Sequence, residues 1–349
     1  MLFGSFFLKS FRGTVRMLTG LLTPNSVVNL PTAASEGFIH ITPDGTSLYV
    51  DSTHQNNQLY QFNRDPSTGS LTMIGTGIVG SGVLNWSTGR SMAISPDNNN
   101  VYVACHNSDA VYEYTRDTST GALTLMGTPL AIGCTSVAIS NDGRFAYIPH
   151  VDSSFIRIAP RNTSTGTLNI TGAGVTTPVT QPENLILSPN GNYLYVYTQS
   201  HTTLCQFSVD TSTGALAALS PSIFDAGAGM TPYAMVFTPD GVFAYVANSN
   251  VVMTLGVASN GQLSFISSTT VTGAIYQLSI SLDGQNLYMS TMSHNIYQFN
   301  INSSTGQLTP LIPAYIVTTT SAIGNGISPD GKNFYTSAVD SKIYCYTRN

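Results

Sequence analysis

Val101–Gly127 reads VYVACHNSDAVYEYTRDTSTGALTLMG, and nearly every feature of it returns elsewhere in the chain. VYVAC and AVYEYTR carry the β-branched and aromatic residues that favour strands. DTSTG between AVYEYTR and ALTLMGT is a turn: its Asp can bond backbone two residues on, and its Gly supplies a left-handed position. Upstream, ISPDNN (Ile94–Asn99) is another turn, where Asn or Gly takes the positive φ that a tight hairpin needs. The unit therefore predicts four strands, A to D: Ser91–Ser95, Val101–Cys105, Ala110–Arg116 and Ala122–Thr128.

The first hairpin occurs seven times, as ITPDGTSLYV (Ile41–Val50), ISPDNNNVYV, ISNDGRFAYI, LSPNGNYLYV, FTPDGVFAYV, ISLDGQNLYM and ISPDGKNFYT (Ile327–Thr336). Its Asp or Asn stands at 44, 97, 142, 190, 240, 283 and 330, with spacings of 53, 45, 48, 50, 43 and 47. A period of this length with several strands per unit predicts a β-propeller. Five residues after each acid or amide stands a tyrosine: Tyr49, Tyr102, Tyr147, Tyr195, Tyr245, Tyr288 and Tyr335. Its neighbours are mostly apolar, as expected of a blade covered on both faces. A buried tyrosine hydroxyl needs a partner. The Ser or Thr two residues before each acid or amide is the expected one.

Only six Ser-Thr-Gly-type turns accompany the seven hairpins, because the chain stops at KIYCYTRN (Lys342–Asn349), a third strand with nothing after it. The missing outer strand is expected from the N-terminus, where GTVRMLTG (Gly13–Gly20) aligns with GALTLMGT. The fold expected is all-β: a seven-bladed propeller over residues 13–349, its ring closed by an N-terminal strand and preceded by an apolar tail at residues 1–12. Closure removes the open edges of a linear array.

Composition narrows the partners. Charged residues are 8% of the 349, against about 25% in an ordinary globular protein. A net charge of −5 leaves no basic footprint for nucleic acid. No run of apolar residues reaches the length of a membrane span. The start MLFGSFFLKSFR has no basic opening and no small-residue cleavage site, so it does not read as a secretory signal, and cytoplasmic and secreted locations both stay open. It can pack on the body or fray, or make an oligomer contact by self-association or a membrane contact. Cys105, Cys134, Cys205 and Cys345 have neither disulfide-framework nor zinc spacing and read as buried thiols.

The SPDG…YV phrases, the following V-x-x-Y/F and the D-x-x-TG-x-L turn resemble the lactonase-type seven-bladed propellers, which include the 6-phosphogluconolactonase-like enzymes and YVTN-type repeat proteins. Val101–Gly127 and YVANSN (Tyr245–Asn250) carry the resemblance best; no copy has the Trp-Asp of WD40 repeats. It implies opening of a sugar-acid lactone by water, with histidine, arginine and carboxylate around the central cavity.

Antiparallel order puts the D–A and B–C loops on one face and the regular PDG and STG turns on the other. Sites favour the irregular face. Five of six histidines fall on or beside B–C loops: His54, His106, His150, His201 and His294. Glu36, Arg90 and Glu183 stand at or just before innermost strands. The long D–A segment Gly77–Arg90 holds the one tryptophan, Trp86; Tyr233 and Tyr276 occupy comparable positions later. As a lactonase, Arg90 would hold an anionic substrate or oxyanion, Glu183 or Glu36 would act as base on water, and His106 or His150 would help. Trp86, Tyr233 and Tyr276 would contact ligand. Equally, Arg90 with either glutamate can be a structural ion pair, and Trp86 a loop anchor. No metal site or cofactor is expected. The alternative function is a non-catalytic binding or self-assembling scaffold, exposed or secreted, taking a small-molecule or protein ligand on the same loop face.

Overall fold

Seven antiparallel sheets form the ring in a computed structural model, which describes residues 19–31, 37–52, 58–79, 91–150, 152–170, 172–198, 201–227 and 232–349. The innermost strands are Gly37–Ile41, Met92–Ile94, Ala138–Ile139, Asn184–Leu187, Ala234–Phe237, Ile275–Ile280 and Ala322–Ile327. Each pairs outward with its hairpin partner, then a third strand, then a fourth. In the second blade the middle strands run Asn100–Cys105 and Ala110–Arg116 and the outermost Leu123–Leu125, within a few residues of expectation. The four cysteines are free and buried, and burial pushes the Cys105 thiol up to about 12, so these thiols are packing groups.

All seven column tyrosines are fully buried, but their hydroxyl partners differ from expectation. Each donates to the backbone oxygen of a turn glycine in the next blade: Tyr49 to Gly121 at 2.8 Å, Tyr102 to Gly166 at 2.5 Å, and so around to Tyr335 and Gly69 at 2.7 Å. The Ser/Thr column instead serves its own hairpin, as when Ser95 Oγ bonds Asp97 at 2.5 Å and receives the Asn100 N–H at 2.9 Å. Two residues after the hydroxyl, the acid is simply nearer than the tyrosine. The turn glycine must be glycine: Gly121 has φ +73°, and a Cβ there would lie 2.5 Å from Ser47 Oγ.

Four blade interfaces add an arginine from the end of the third strand. Arg116 reaches back to Tyr49 Oη at 3.1 Å, Asp44 at 2.9 Å and Ser47 Oγ at 2.9 Å. Arg161 does the same with Tyr102, Asp97 and Asn100, Arg348 with Tyr288, Asp283 and Asn286, and Arg64 with Tyr335, Asp330 and Asn333. In the other three interfaces the arginine position holds Val209, Val257 or Ile301, and the Ser/Asn position holds Phe145, Tyr193 or Phe243. The two columns change together, so an interface is either ionic or apolar.

These carboxylates set an acid limit. Burial alone would push Asp44, Asp97, Asp283 and Asp330 up, but hydrogen bonds from their own turns and the arginine charge outweigh it and lower all four below 3.8. A carboxylate lowered in the folded state stabilises above its unfolded value and loses that contribution as pH falls through its folded value. The melting temperature should therefore hold steady above about pH 5 and fall steeply below about pH 4. A melt unchanged down to pH 2.5 would show that the interblade ion pairs contribute little.

Ring closure occurs as expected, but with a different segment. The strand beside Lys342–Arg348 is Leu22–Asn29, pairing from Leu22↔Arg348 to Asn29↔Lys342. Gly20, not Gly13, is the seventh turn glycine: its oxygen accepts Tyr288 at 2.5 Å and its N–H bonds Asn349 O at 2.6 Å. Asn349 N–H returns to Leu21 O at 2.9 Å. Thr19–Gly20–Leu21–Leu22 thus repeats the T-G-x-L of Thr120–Leu123. Aligning on the apolar residues of Gly13–Gly20 instead of on this turn displaced the expected strand. Residues 1–18 lie outside the described residues.

Candidate functional site

The innermost strands surround a channel whose cavity of about 610 Å³ is lined from all seven blades. Its two sides differ. Met92, Val137, Leu185 and Met235 line it from blades two to five, beside Asn141 and Ser188, whereas blades six, seven and one add the polar Gln277, Ser279, Asn325 and His40 to Leu278, Ile280 and Ile327. The polar side is knitted between blades: Asn325 N–H bonds Gln277 Oε1 at 2.7 Å, and its Nδ2 bonds Gln277 O at 2.9 Å and Ser290 Oγ at 3.0 Å. That spends the amide protons and leaves Asn325 Oδ1 buried without a partner.

The sequence candidates distribute unevenly. Glu183 directly precedes the innermost strand Asn184–Leu187 and is half-buried; neither it nor Tyr233 is among the residues lining the cavity. Its backbone is clamped: its oxygen accepts Thr135 Oγ1 at 2.5 Å and Ser136 Oγ at 2.8 Å from the previous blade. Next to it Asn184 is fully buried, with both amide atoms unpartnered. Tyr233 and Tyr276, from adjacent blades, come together edge to face with ring centroids 6.1 Å apart, and Tyr276 lines the cavity. Arg90, Glu36 and Trp86 lie outside the described residues, as does His54.

His106 and His150 are not among the residues lining the cavity. His106 opens the short helical turn His106–Ser108; His150 ends the strand Phe145–His150 and packs on Phe155 at 4.7 Å. Around Gly133, Asp109, Asp152 and His150 each come within 3.4 Å of where a Cβ would stand. Among the described residues no group of His, Cys, Asp and Glu is arranged to hold a metal.

One cluster at the channel escaped the sequence reasoning, which singled out only the loop histidines. His40 Nε2 lies 3.4 Å from Oδ2 of Asp51, a fully buried carboxylate. Asp51 also accepts the Phe38 N–H at 2.6 Å and the Ser91 hydroxyl of the next blade. A signal for it exists in the repeat. The position of His40 holds Ala93, Ala138, Ile186, Val236, Ser279 and Gly326 in the other blades, and that of Asp51 holds no other ionisable acid.

The family described as "Lactonase, 7-bladed beta-propeller" matches residues 14–136 and 131–231, more than half of the chain. No curated protein matches the sequence. Among solved structures, one from Bacteroides fragilis, provisionally described as a 6-phosphogluconolactonase, is 20% identical with a TM-score of 0.71, over 87% of this chain and 90% of its own. A periplasmic gluconolactonase of Pseudomonas aeruginosa is 20% identical with a TM-score of 0.66, over 93% of both chains. Hydrazine synthase of Kuenenia stuttgartiensis is 16% identical with a TM-score of 0.66, over 92% of this chain and 97% of its own. Names this unlike on one fold show that the ring alone does not decide chemistry.

Proposed function

Because this chain belongs to the lactonase family of seven-bladed β-propellers, we propose that it opens the lactone of a sugar acid with water at the mouth of its central channel. What supports the proposal is the family match together with a cavity of about 610 Å³ that Tyr276 lines beside its partner Tyr233, while Glu183 directly precedes the innermost strand of the adjoining blade. That volume lies within the usual range for small-molecule sites. Arg90, just before the innermost strand Met92–Ile94, and the carboxylates Glu183 and Glu36 capture and orient the polar end of the substrate. Trp86, Tyr233 and Tyr276 pack against the apolar face of the sugar ring, as aromatic groups do in ligand sites.

The test is hydrolysis of glucono-δ-lactone and of its phosphorylated form by purified protein. Arg90→Ala and Glu183→Ala should each lower kcat/KM about 100-fold, the usual effect of removing one preorganised charged or hydrogen-bonding group. Full rates in both variants would remove this site from consideration.

The binding-scaffold reading is supported by the outer rim. Leu216–Asp225, Leu263–Thr270 and Leu308–Val317 contain a single charged residue, Asp225. They expose Phe265 at 58%, Ile312 at 91% and Val317 at 69%. Absence of lactone hydrolysis together with a mass by light scattering that rises with concentration would favour this second reading.

A further inference from the structure

We propose that His40 is the proton-transfer residue of the channel and that Asp51 is the carboxylate that positions it. The proposal rests on the hydrolase reading above and adds the group that moves the proton.

In a chain built from repeats, residues shared by all blades are explained by the ring. His40 and Asp51 are departures from it, in the same blade, touching each other. A buried carboxylate is costly unless well bonded, and no other blade carries an acid at this position. Asp51 is nevertheless fully buried and held from two blades, by the Phe38 N–H and by the Ser91 hydroxyl. Among the described residues its remaining hydrogen-bond partner is His40 Nε2 at 3.4 Å. The tautomer that bonds this carboxylate carries its hydrogen on Nε2 and its lone pair on Nδ1. The nitrogen not used by Asp51 is Nδ1, and His40 lines the cavity. This is the base-and-orienter arrangement of nucleophilic and hydrolytic sites, with water in place of a serine. His40 is also the one histidine, lysine or arginine among the described residues lining the cavity.

The step balances without a cofactor. Nδ1 takes a proton from water as the water oxygen bonds to the lactone carbonyl carbon, and the carbonyl electron pair moves onto its oxygen. That pair returns as the bond to the ring oxygen breaks. The ring oxygen leaves with the bonding pair and takes the proton from Nδ1, giving the hydroxy acid and a neutral imidazole.

The experiment compares wild type, His40→Ala, His40→Gln and Asp51→Asn on glucono-δ-lactone, with melting temperatures and product binding by calorimetry. Loss of the proton-transfer group should lower kcat about 10²–10⁴-fold in both His40 variants. KM should stay within about threefold if only transition-state interactions are lost. Free imidazole should restore a measurable part of the rate in His40→Ala, because a small molecule can enter the space vacated. Asp51→Asn should lose about tenfold or more in kcat by releasing the tautomer, with KM unchanged. Should Asp51→Asn fail to fold, imidazole rescue decides. Wild-type activity with full rates in the His40 variants overturns this proposal and leaves the hydrolase reading standing. So does a lost rate that imidazole fails to restore. A wild type that hydrolyses no lactone overturns both.

Discussion

Removal of residues 1–29 is expected to leave a chain that aggregates, or that melts more than 10 °C below the full protein, a shift of about 7 kcal/mol for a chain of this size. The deletion takes the whole strand Leu22–Asn29, which pairs along Lys342–Arg348. It removes Gly20 O, the acceptor of the buried Tyr288 hydroxyl, and the Leu22 N–H that Gln298 Oε1 accepts at 2.8 Å. It also takes Leu22 from a cluster with Tyr288, Ile296, Phe334 and Tyr346. What remains is a three-stranded last blade with an open edge, a template for pairing with another chain. Thermal melts by circular dichroism and size-exclusion profiles give the readout. A truncated protein that elutes as the full chain does and melts within 2 °C of it would show that the ring closes without this strand.

Arg161→Val is the second large effect expected. The guanidinium lies buried between Tyr102, Asp97, Asn100 and the Gly143 oxygen, so its loss strands several acceptors at once. Breaking a buried pair in this way costs about 3–5 kcal/mol, and the melting temperature should fall by roughly 4–7 °C. The repeat itself suggests the compensating change. Where the arginine column holds Val209, Val257 or Ile301, the facing column holds an aromatic residue, and these pack on the turn glycines Gly214, Gly261 and Gly306. Arg161→Val with Asn100→Phe should therefore recover part of the loss, and a double-mutant cycle should give a favourable coupling of about 1–2 kcal/mol. Strict additivity would mean that the two columns do not act together.

The ring was legible because its determinants are local or periodic. Seven hairpins, the positive-φ turn residues and the tyrosine column can be counted in the sequence, and each acts within its own blade or on the next. Closure was legible as a deficit of one strand. Its position was missed because T-G-x-L at Thr19–Leu22 lacks the Ser before Thr-Gly and the Asp or Asn that mark five of the six other turns; Asn349 supplies that corner from the far end of the chain. The candidate site was legible in part. Tyr233 and Tyr276 were chosen for equivalent positions in adjacent repeats, and equivalent positions on adjacent blades meet, here at 6.1 Å. His106 and His150 were chosen because they lie on the loop face, but a loop face is wide and both stand off the cavity lining.

Sequence alone was enough for the number of blades, the order of strands within them, the face that carries the irregular loops and the need for the two chain ends to meet. Those follow from hydrogen-bonding period and turn chemistry, which depend on neighbours along the chain. Tertiary structure was needed for the partners of buried polar groups. Tyr49 finds the oxygen of Gly121, Arg116 finds Asp44, and Asp51 finds Ser91, each across a blade boundary. A buried donor or acceptor is satisfied by whatever lies within about 3 Å, and only the packed ring brings residues 40 to 72 positions apart to that distance.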